Sequence, residues 1–471
     1  MNSLYWHDYE TWGANPAADR PAQFAGVRTD EALNIMGEPL MIYARPTEDL
    51  LPSPEACLIT GITPQHAAQE GVSEPEFIAR IHQEFSVPGT CGVGYNSLRF
   101  DDEVTRYTLF RNFYDPYERE WKNGNSRWDL IDVVRMMYAL RPEGMVWPKH
   151  PDGSPSFKLE DLSAANGLNH ESAHDALSDV YATIALAKRI RELQPKLYDY
   201  AYSLRHKQAV QAQFDWINKK PLLHTSSRFP AAQGCTALIM PLAPHPVNKN
   251  AVIVYNLAVD PAPLLSLSAE EIAARVFVSE ADLPAGASRI PLKLVHANKS
   301  PMLAPLSMLT APVAERLHIN RGDCERHWAQ LKSAELNEKL RQVFSGREFP
   351  PSADPEQQLY GGFIPNEDRA LMTRVREAAP EQLAAIEFKD ARLNAILRRY
   401  RARHFPETLT PDEQLWWQEQ VYERLTNPEA GASVVLDDFI ETLERLRARP
   451  ELSERDQAIV DSLEAYGAGL M

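Results

Sequence analysis

The segment Leu4-Tyr5-Trp6-His7-Asp8-Tyr9-Glu10 constrains the fold more than any other stretch of the chain. It reads as an apolar β-strand that carries two carboxylates two positions apart. Side chains along a strand repeat every two residues, so Asp8 and Glu10 point to the same face. Two carboxylates held side by side repel. A fold accommodates them at a solvated edge or around a divalent cation, which binds oxygen ligands of this kind. For an isolated Asp-x-Glu the solvated edge is the commoner outcome, so the segment carries chemistry only if other residues join it.

Two later segments supply candidates. In Gly94-Tyr95-Asn96-Ser97-Leu98-Arg99-Phe100-Asp101 a short apolar strand leads into Asn96, and Asp101 stands at the start of the following helix. An acid there serves equally well as an N-cap, as a partner of the helix dipole or as a metal ligand. In His174-Asp175-Ala176-Leu177-Ser178-Asp179 the preceding Ser172, followed by Asp175, resembles a capping box, which predicts a helix beginning near Ala173. His174 then lies in the first turn and Asp179 further in. A single histidine at a helix start is most often a surface residue. The order acid-x-acid, Asn-x-x-x-Phe-Asp, His-x-Ala-x-x-Asp makes chance agreement improbable, because each match multiplies the odds against it.

The surroundings fit one α/β domain. Leu4–Glu10, Gln23–Arg28, Pro39–Ala44 and Thr90–Tyr95 read as strands, and Glu74–Phe85, Asp102–Phe113, Asp129–Leu140, Leu159–Asn166 and Ala173–Leu193 have helical periodicity. Strands first, then helices with one later strand among them, predict a mixed sheet. Pro195 ends the long helix. Thr236–Met240, Ala251–Leu257 and Ile290–Val295 then read as strands of a small β-rich module. Pro350-Pro351-Ser352-Ala353-Asp354-Pro355 reads as a linker. Beyond it Glu367–Glu377, Pro380–Tyr400, Pro411–Leu425 and Ser433–Ala448 have helical spacing with interleaved charges, which predicts a helical bundle. Three domains are expected, at 1–194, 195–349 and 355–471.

Composition excludes some classes. With 44% apolar and 24% charged residues the chain is ordinary for a globular protein. No stretch approaches the roughly 20 apolar residues of a membrane span. The first residues lack the basic and apolar regions of a signal peptide, so a cytoplasmic location is expected. Cys57, Cys91, Cys235 and Cys324 form no Cys-x-x-Cys pair, which argues against structural zinc or a disulfide framework. A net charge of −16 lowers the expectation of non-specific duplex binding, but nucleic-acid binding needs only a local basic stripe.

The five residues Asp8, Glu10, Asp101, His174 and Asp179 form the DEDDh pattern, and the first domain resembles the proofreading-type, ribonuclease-H-like exonucleases. Further segments resemble bacterial exodeoxyribonuclease I. They are Phe100-Asp101-Asp102-Glu103-Val104-Thr105-Arg106, Arg111-Asn112-Phe113-Tyr114-Asp115-Pro116-Tyr117, Asn125-Ser126-Arg127-Trp128-Asp129, Leu140-Arg141-Pro142-Glu143-Gly144, Leu294-Val295-His296-Ala297-Asn298-Lys299 and Tyr400-Arg401-Ala402-Arg403-His404-Phe405-Pro406. The resemblance implies a ribonuclease-H-like exonuclease domain, an SH3-like β domain and a C-terminal helical domain in a C-shaped body. It implies processive 3′ to 5′ degradation of single-stranded DNA to 5′-mononucleotides in DNA repair and recombination.

Asp8, Glu10 and Asp179, with Asp101 directly or through water, would then hold two Mg²⁺ ions, for which Mn²⁺ can substitute, and His174 would take the proton from the attacking water. Glu10, Arg106, Tyr117, Trp121, Arg135, Phe157 and Lys158 fall where the family contacts its substrate. Lys158 stands where the family has arginine, which would turn a bidentate phosphate contact into a point charge. Core packing is an equal expectation for Trp121 and for Trp128. Lys293, His296, Asn298 and Lys299 are expected either in a far wall of the DNA channel or in a solvated loop. The resemblance also implies a monomer that binds the acidic tail of single-stranded DNA-binding protein, for which Arg141 and Lys220 are candidates. A DEDDh exoribonuclease would share the same five residues. An inactive nucleic-acid-binding protein would lack at least one, and none is missing.

Overall fold

The computed structural model describes residues 2–168, 175–279, 281–283, 285–346 and 352–470. They form two compact units, one of Met1–Ser126, His170–Tyr181 and Pro350–Met471, the other of Arg127–Asn169 and Ala182–Phe349. No helix among the described residues is long and apolar enough to cross a membrane.

The first unit opens with β1 (Ser3–Thr11), β2 (Pro21–Thr29) and β3 (Leu40–Tyr43), followed by α1 (Pro54–Thr60), α2 (Pro64–Glu70), α3 (Glu74–Phe85), β4 (Thr90–Gly94) and α4 (Asp101–Arg111). Its strands run in the order β3-β2-β1-β4. β1 is antiparallel to β2 and parallel to β4, with Trp6 opposite both Val27 and Val93, so the sheet is mixed as the sequence predicts. The odd residues of β1 form one core: Tyr5, Tyr9, Phe24 and Ile42 pack against Phe77, Ile78, Ile81 and Phe85 of α3 and Val104 and Leu109 of α4. The even residues, Asp8 and Glu10 among them, take the opposite face.

The C-terminal helices pack in this same unit. Phe439, Leu443, Leu446, Ile459 and Leu463 share a core with Trp12, Leu51, Cys57 and Ile62, and Leu393, Ile396, Leu397 and Tyr400 share another with Tyr107, Phe110 and Phe113 of and beyond α4. One predicted helix is interrupted. Pro380–Tyr400 divides into a 3₁₀ turn at Pro380–Ala385 and a helix at Ala391–His404. Both carboxylate oxygens of the buried Asp368 accept backbone N–H groups of the break, from Lys389 at 3.0 Å and Asp390 at 2.9 Å, and Asp390 caps the second helix. The predicted linker lies partly outside the described residues, at 350 and 351.

β5 (Ser126–Asp129) marks the passage into the second unit, followed by α5 (Leu130–Leu140), α6 (Leu159–Ala165) and α7 (Ala176–Leu193), whose first residues belong to the first unit. The β-rich module is a fully antiparallel five-stranded sheet. Its strands are β6 (Leu222–Thr225), β7 (Thr236–Pro244), β8 (Ala251–Asn256), β9 (Leu292–His296) and β10 (Met302–Pro305), in the order β10-β6-β7-β8-β9.

Candidate active site

Asp8 and Glu10 leave β1 on one face, opposite Ala25 and Gln23 of β2. Asp179 comes to them from α7, and ligand oxygens of the three carboxylates lie within 4.8 Å of one another. Asp101 joins from the first turn of α4, where it is 4% exposed. Its Oδ1 accepts the backbone N–H of Tyr9 at 3.0 Å, which ties the start of α4 to the strand between the two acids. Thr105 reinforces the tie by donating from Oγ1 to the Asp101 carbonyl at 2.8 Å and lying 3.0 Å from the Tyr9 hydroxyl. The turn into α4 depends on Asn96, whose φ of 66° is a conformation that asparagine tolerates better than most residues.

These carboxylates perturb each other. Burial raises the Asp8 carboxyl well above the ordinary carboxylate range, and the charges of Asp101, Glu10, Asp179 and Asp175 add to the shift. Glu10 is pushed up to about 8, by burial first and then by Asp179, Asp101 and Asp175. Acids held together against both desolvation and mutual repulsion fit a divalent cation, which reverses both effects by supplying positive charge to oxygen ligands.

The structure brings Asp8, Glu10, Asp101 and Asp179 together, while His174 lies outside the described residues. α7 starts at Ala176, three residues later than the Ser172–Asp175 pattern predicts. Asp175 itself does the capping, accepting the N–H of Ser178 at 3.3 Å. Ser172 is also outside the described residues.

The residues expected along the substrate divide by environment. In the first unit Trp121 is 64% exposed, against the core-packing expectation. Arg106 is buried, and its guanidinium bonds Glu120 at 2.6 and 2.8 Å, Glu103 at 2.7 Å and the Tyr360 hydroxyl at 2.9 Å while lying over the Tyr117 ring. It braces Tyr117 as much as it offers charge. In the second unit Trp128 is fully buried against Tyr198 and Tyr202 and is a core residue. Arg135 pairs with Asp132 at 2.7 Å and lies over Phe157, which is itself buried against Tyr138. Lys158 is exposed and lies 3.5 Å from Glu160. Lys293 lies 2.7 Å from His224 Nε2, a partner 69 positions away that no local pattern marks.

Comparison with known proteins places these features in a family. Residues 5–187 match the family described as Exonuclease, residues 205–346 the Exonuclease I SH3-like domain and residues 353–470 the Exonuclease I C-terminal domain. The chain is 49% identical to exodeoxyribonuclease I of Escherichia coli (strain K12) over 423 residues, covering 89% of each. It is similar over its whole length to the crystal structure of E. coli exonuclease I in complex with a dA16 oligonucleotide, with 45% identity, a TM-score of 0.94 and 100% of both chains covered. A crystal structure of SSB/exonuclease I in complex with the inhibitor CFAM is similar to the same extent, with 44% identity and a TM-score of 0.93 over 100% of both chains. With the acidic strand, the mixed sheet, the antiparallel β module and the helical C-terminus all matched in order, this chain belongs to the exodeoxyribonuclease I family.

Proposed function

We propose that the chain hydrolyses single-stranded DNA from its 3′ end, releasing 5′-mononucleotides, with Asp8, Glu10, Asp101, Asp179 and His174 as the catalytic set. The observation that carries this reading is the convergence of Asp8, Glu10 and Asp179 within 4.8 Å on one sheet face. Full-length similarity to an enzyme solved with a dA16 oligonucleotide supports the choice of substrate. Asp8, Glu10 and Asp179 would hold two Mg²⁺ ions, with Asp101 joining directly or through water. When bound, such ions neutralise the charge of the scissile phosphate and make water acidic enough to attack it near neutral pH. His174 takes the proton from the attacking water, a role suited to a side chain that titrates near pH 7. Attack on phosphorus breaks its bond to the 3′ oxygen of the preceding nucleotide, which leaves as a new 3′-hydroxyl end.

Glu10 doubles as a contact to the terminal nucleotide in this reading. Trp121 and Tyr117 stack bases, Arg106 holds Tyr117, and Arg135, Phe157 and Lys158 contribute further contacts to the strand. The SSB/exonuclease I structure supports single-stranded DNA-binding protein as a partner, and its acidic tail would dock at Arg141 or Lys220. We place the protein in the cytoplasm as a monomer serving DNA repair and recombination. The domains are taken as 1–194, 195–349 and 355–471. Incubation of a 3′-labelled single-stranded oligonucleotide with protein and Mg²⁺ tests the reading. Release of labelled mononucleotide that EDTA abolishes supports it, and an intact label overturns it.

A further inference from the structure

Gln23 is a buried amide in the acidic site with no role in the hydrolysis described above. It lies on β2 opposite Glu10 of β1 and opposite Tyr43 of β3, so the three side chains share the sheet face that bears Asp8. Only 2% of Gln23 is exposed. Its Nε2 donates to the Tyr43 hydroxyl at 2.9 Å, and its Oε1 accepts the backbone N–H of Ala176 at 3.4 Å.

Ala176 is the first residue of α7, and the first N–H groups of a helix have no partner within it. Here Gln23 meets the N–H of Ala176 while Asp175 meets that of Ser178. Ala176 is fully buried, so the bond cannot be exchanged freely for one to water. Asp179 follows within the next turn, and the placement of that first turn sets how close its carboxylate comes to Asp8 and Glu10. The acids themselves oppose the approach, since Asp179 and Asp175 face Glu10 with like charge. An amide suits the position because it accepts from the helix without adding another carboxylate.

We infer that Gln23, braced by Tyr43, is a positioning residue that docks the first turn of α7 onto the sheet and so fixes the spacing of Asp179 from Asp8 and Glu10. The consequence for metal affinity rests on the metal-dependent reading above, whereas the docking of α7 does not.

Gln23→Met tests it, because methionine keeps nearly the same volume and removes both hydrogen bonds. In the full-length protein we expect Mn²⁺ affinity by calorimetry to fall roughly ten-fold, as for other residues that orient metal ligands. Backbone amide exchange over 176–179 should rise several-fold while the thermal midpoint stays near wild type. Tyr43→Phe removes only the brace and should shift both readouts in the same direction by less. If Gln23→Met does not fold, Tyr43→Phe decides the question on its own. Mn²⁺ affinity and exchange both within two-fold of wild type would overturn the inference, whether or not the midpoint falls. Wild-type protein that binds no Mn²⁺ would defeat the metal-dependent reading instead, and amide exchange would still show whether Gln23 holds α7.

Discussion

Replacing Asp49 by alanine strikes a buried ionic cluster that joins α3, α4 and the loops at Arg20 and Asp49 to the C-terminal segment within the first unit. Asp49, Glu74, Asp354 and Glu356 meet Arg20, Arg111, Arg399, Arg403 and Arg424 there. Asp49 is fully buried, and its two oxygens take Arg403 at 3.0 and 2.7 Å and Arg424 at 3.1 Å. Burial alone would raise the Asp49 carboxyl, but the guanidiniums of Arg403, Arg424 and Arg20 outweigh it and hold the group far below the ordinary range. Alanine leaves the five arginines facing three acids, and it strips both Arg403 and Arg424 of a partner. Breaking a buried pair in this way costs about 3–5 kcal/mol. A unit of this size loses roughly 2 °C of midpoint per kcal/mol, so Asp49→Ala should melt about 6–10 °C lower at pH 7.5.

The pH dependence has a definite sign. A folded pKa below the unfolded value of about 3.9 means that the stabilisation is complete above that value and is lost as pH falls through the folded one. Glu74 is lowered in the same way, with Arg111 and Arg20 outweighing its burial. The wild-type advantage over Asp49→Ala should therefore be constant from pH 7.5 to about 5 and shrink below about 4. Thermal melts followed by circular dichroism at a series of pH values measure it. A variant within 1 °C of wild type at pH 7.5, or a gap that widens in acid, would refute this reasoning.

The other expectations concern the substrate and the core. Trp121→Ala should weaken single-stranded DNA binding by roughly 5-fold or more without lowering the thermal midpoint, since one stacked base is worth about 1–3 kcal/mol. Trp128→Ala should do the reverse, destabilising by about 3–5 kcal/mol while the folded fraction binds normally; denaturant titration and fluorescence anisotropy separate the two. Lys158→Ala should reduce the slope of log affinity against log salt by about 0.7, the value for one phosphate contact on a single strand. His174→Ala should lower turnover by roughly 10²-fold or more with binding nearly intact, and near-normal turnover would remove it from the mechanism.

The parts of this molecule legible in its sequence are those where local pattern and tertiary role coincide. β1 alternates apolar core residues with the acids of the site, so both its conformation and its chemistry show in one heptapeptide. The periodicity delimits α3 to the residue, because its apolar face repeats with helical period between Ser73 and Ser86. α1 and α2 do not stand out in the sequence: each is only seven residues long, and their signals are a Ser53 or Thr63 cap followed by proline. β6 and β10, four residues each, are too short for alternation to mark them. The run from Pro380 to Tyr400 reads as one helix because the break is imposed by Asp368, outside the run itself. Likewise Arg399, Arg401 and Arg403 look like the solvated face of a bundle. Their partners, among them Asp49 some 350 positions away, turn them into buried ions that no local pattern announces. Trp121 and Trp128 are only seven positions apart and indistinguishable by type, yet one is a surface residue and the other a core one.

The central claim is best tested with a 5′-labelled single-stranded oligonucleotide incubated with Mg²⁺ and either the wild-type protein or Asp8→Ala, beside an RNA of matched sequence. The account predicts a DNA ladder that shortens from the 3′ end with wild type, vanishes with EDTA and is absent with Asp8→Ala, while the RNA is cut more slowly. Full activity of Asp8→Ala would contradict the assignment of the site, and faster loss of the RNA would contradict the assignment of the substrate.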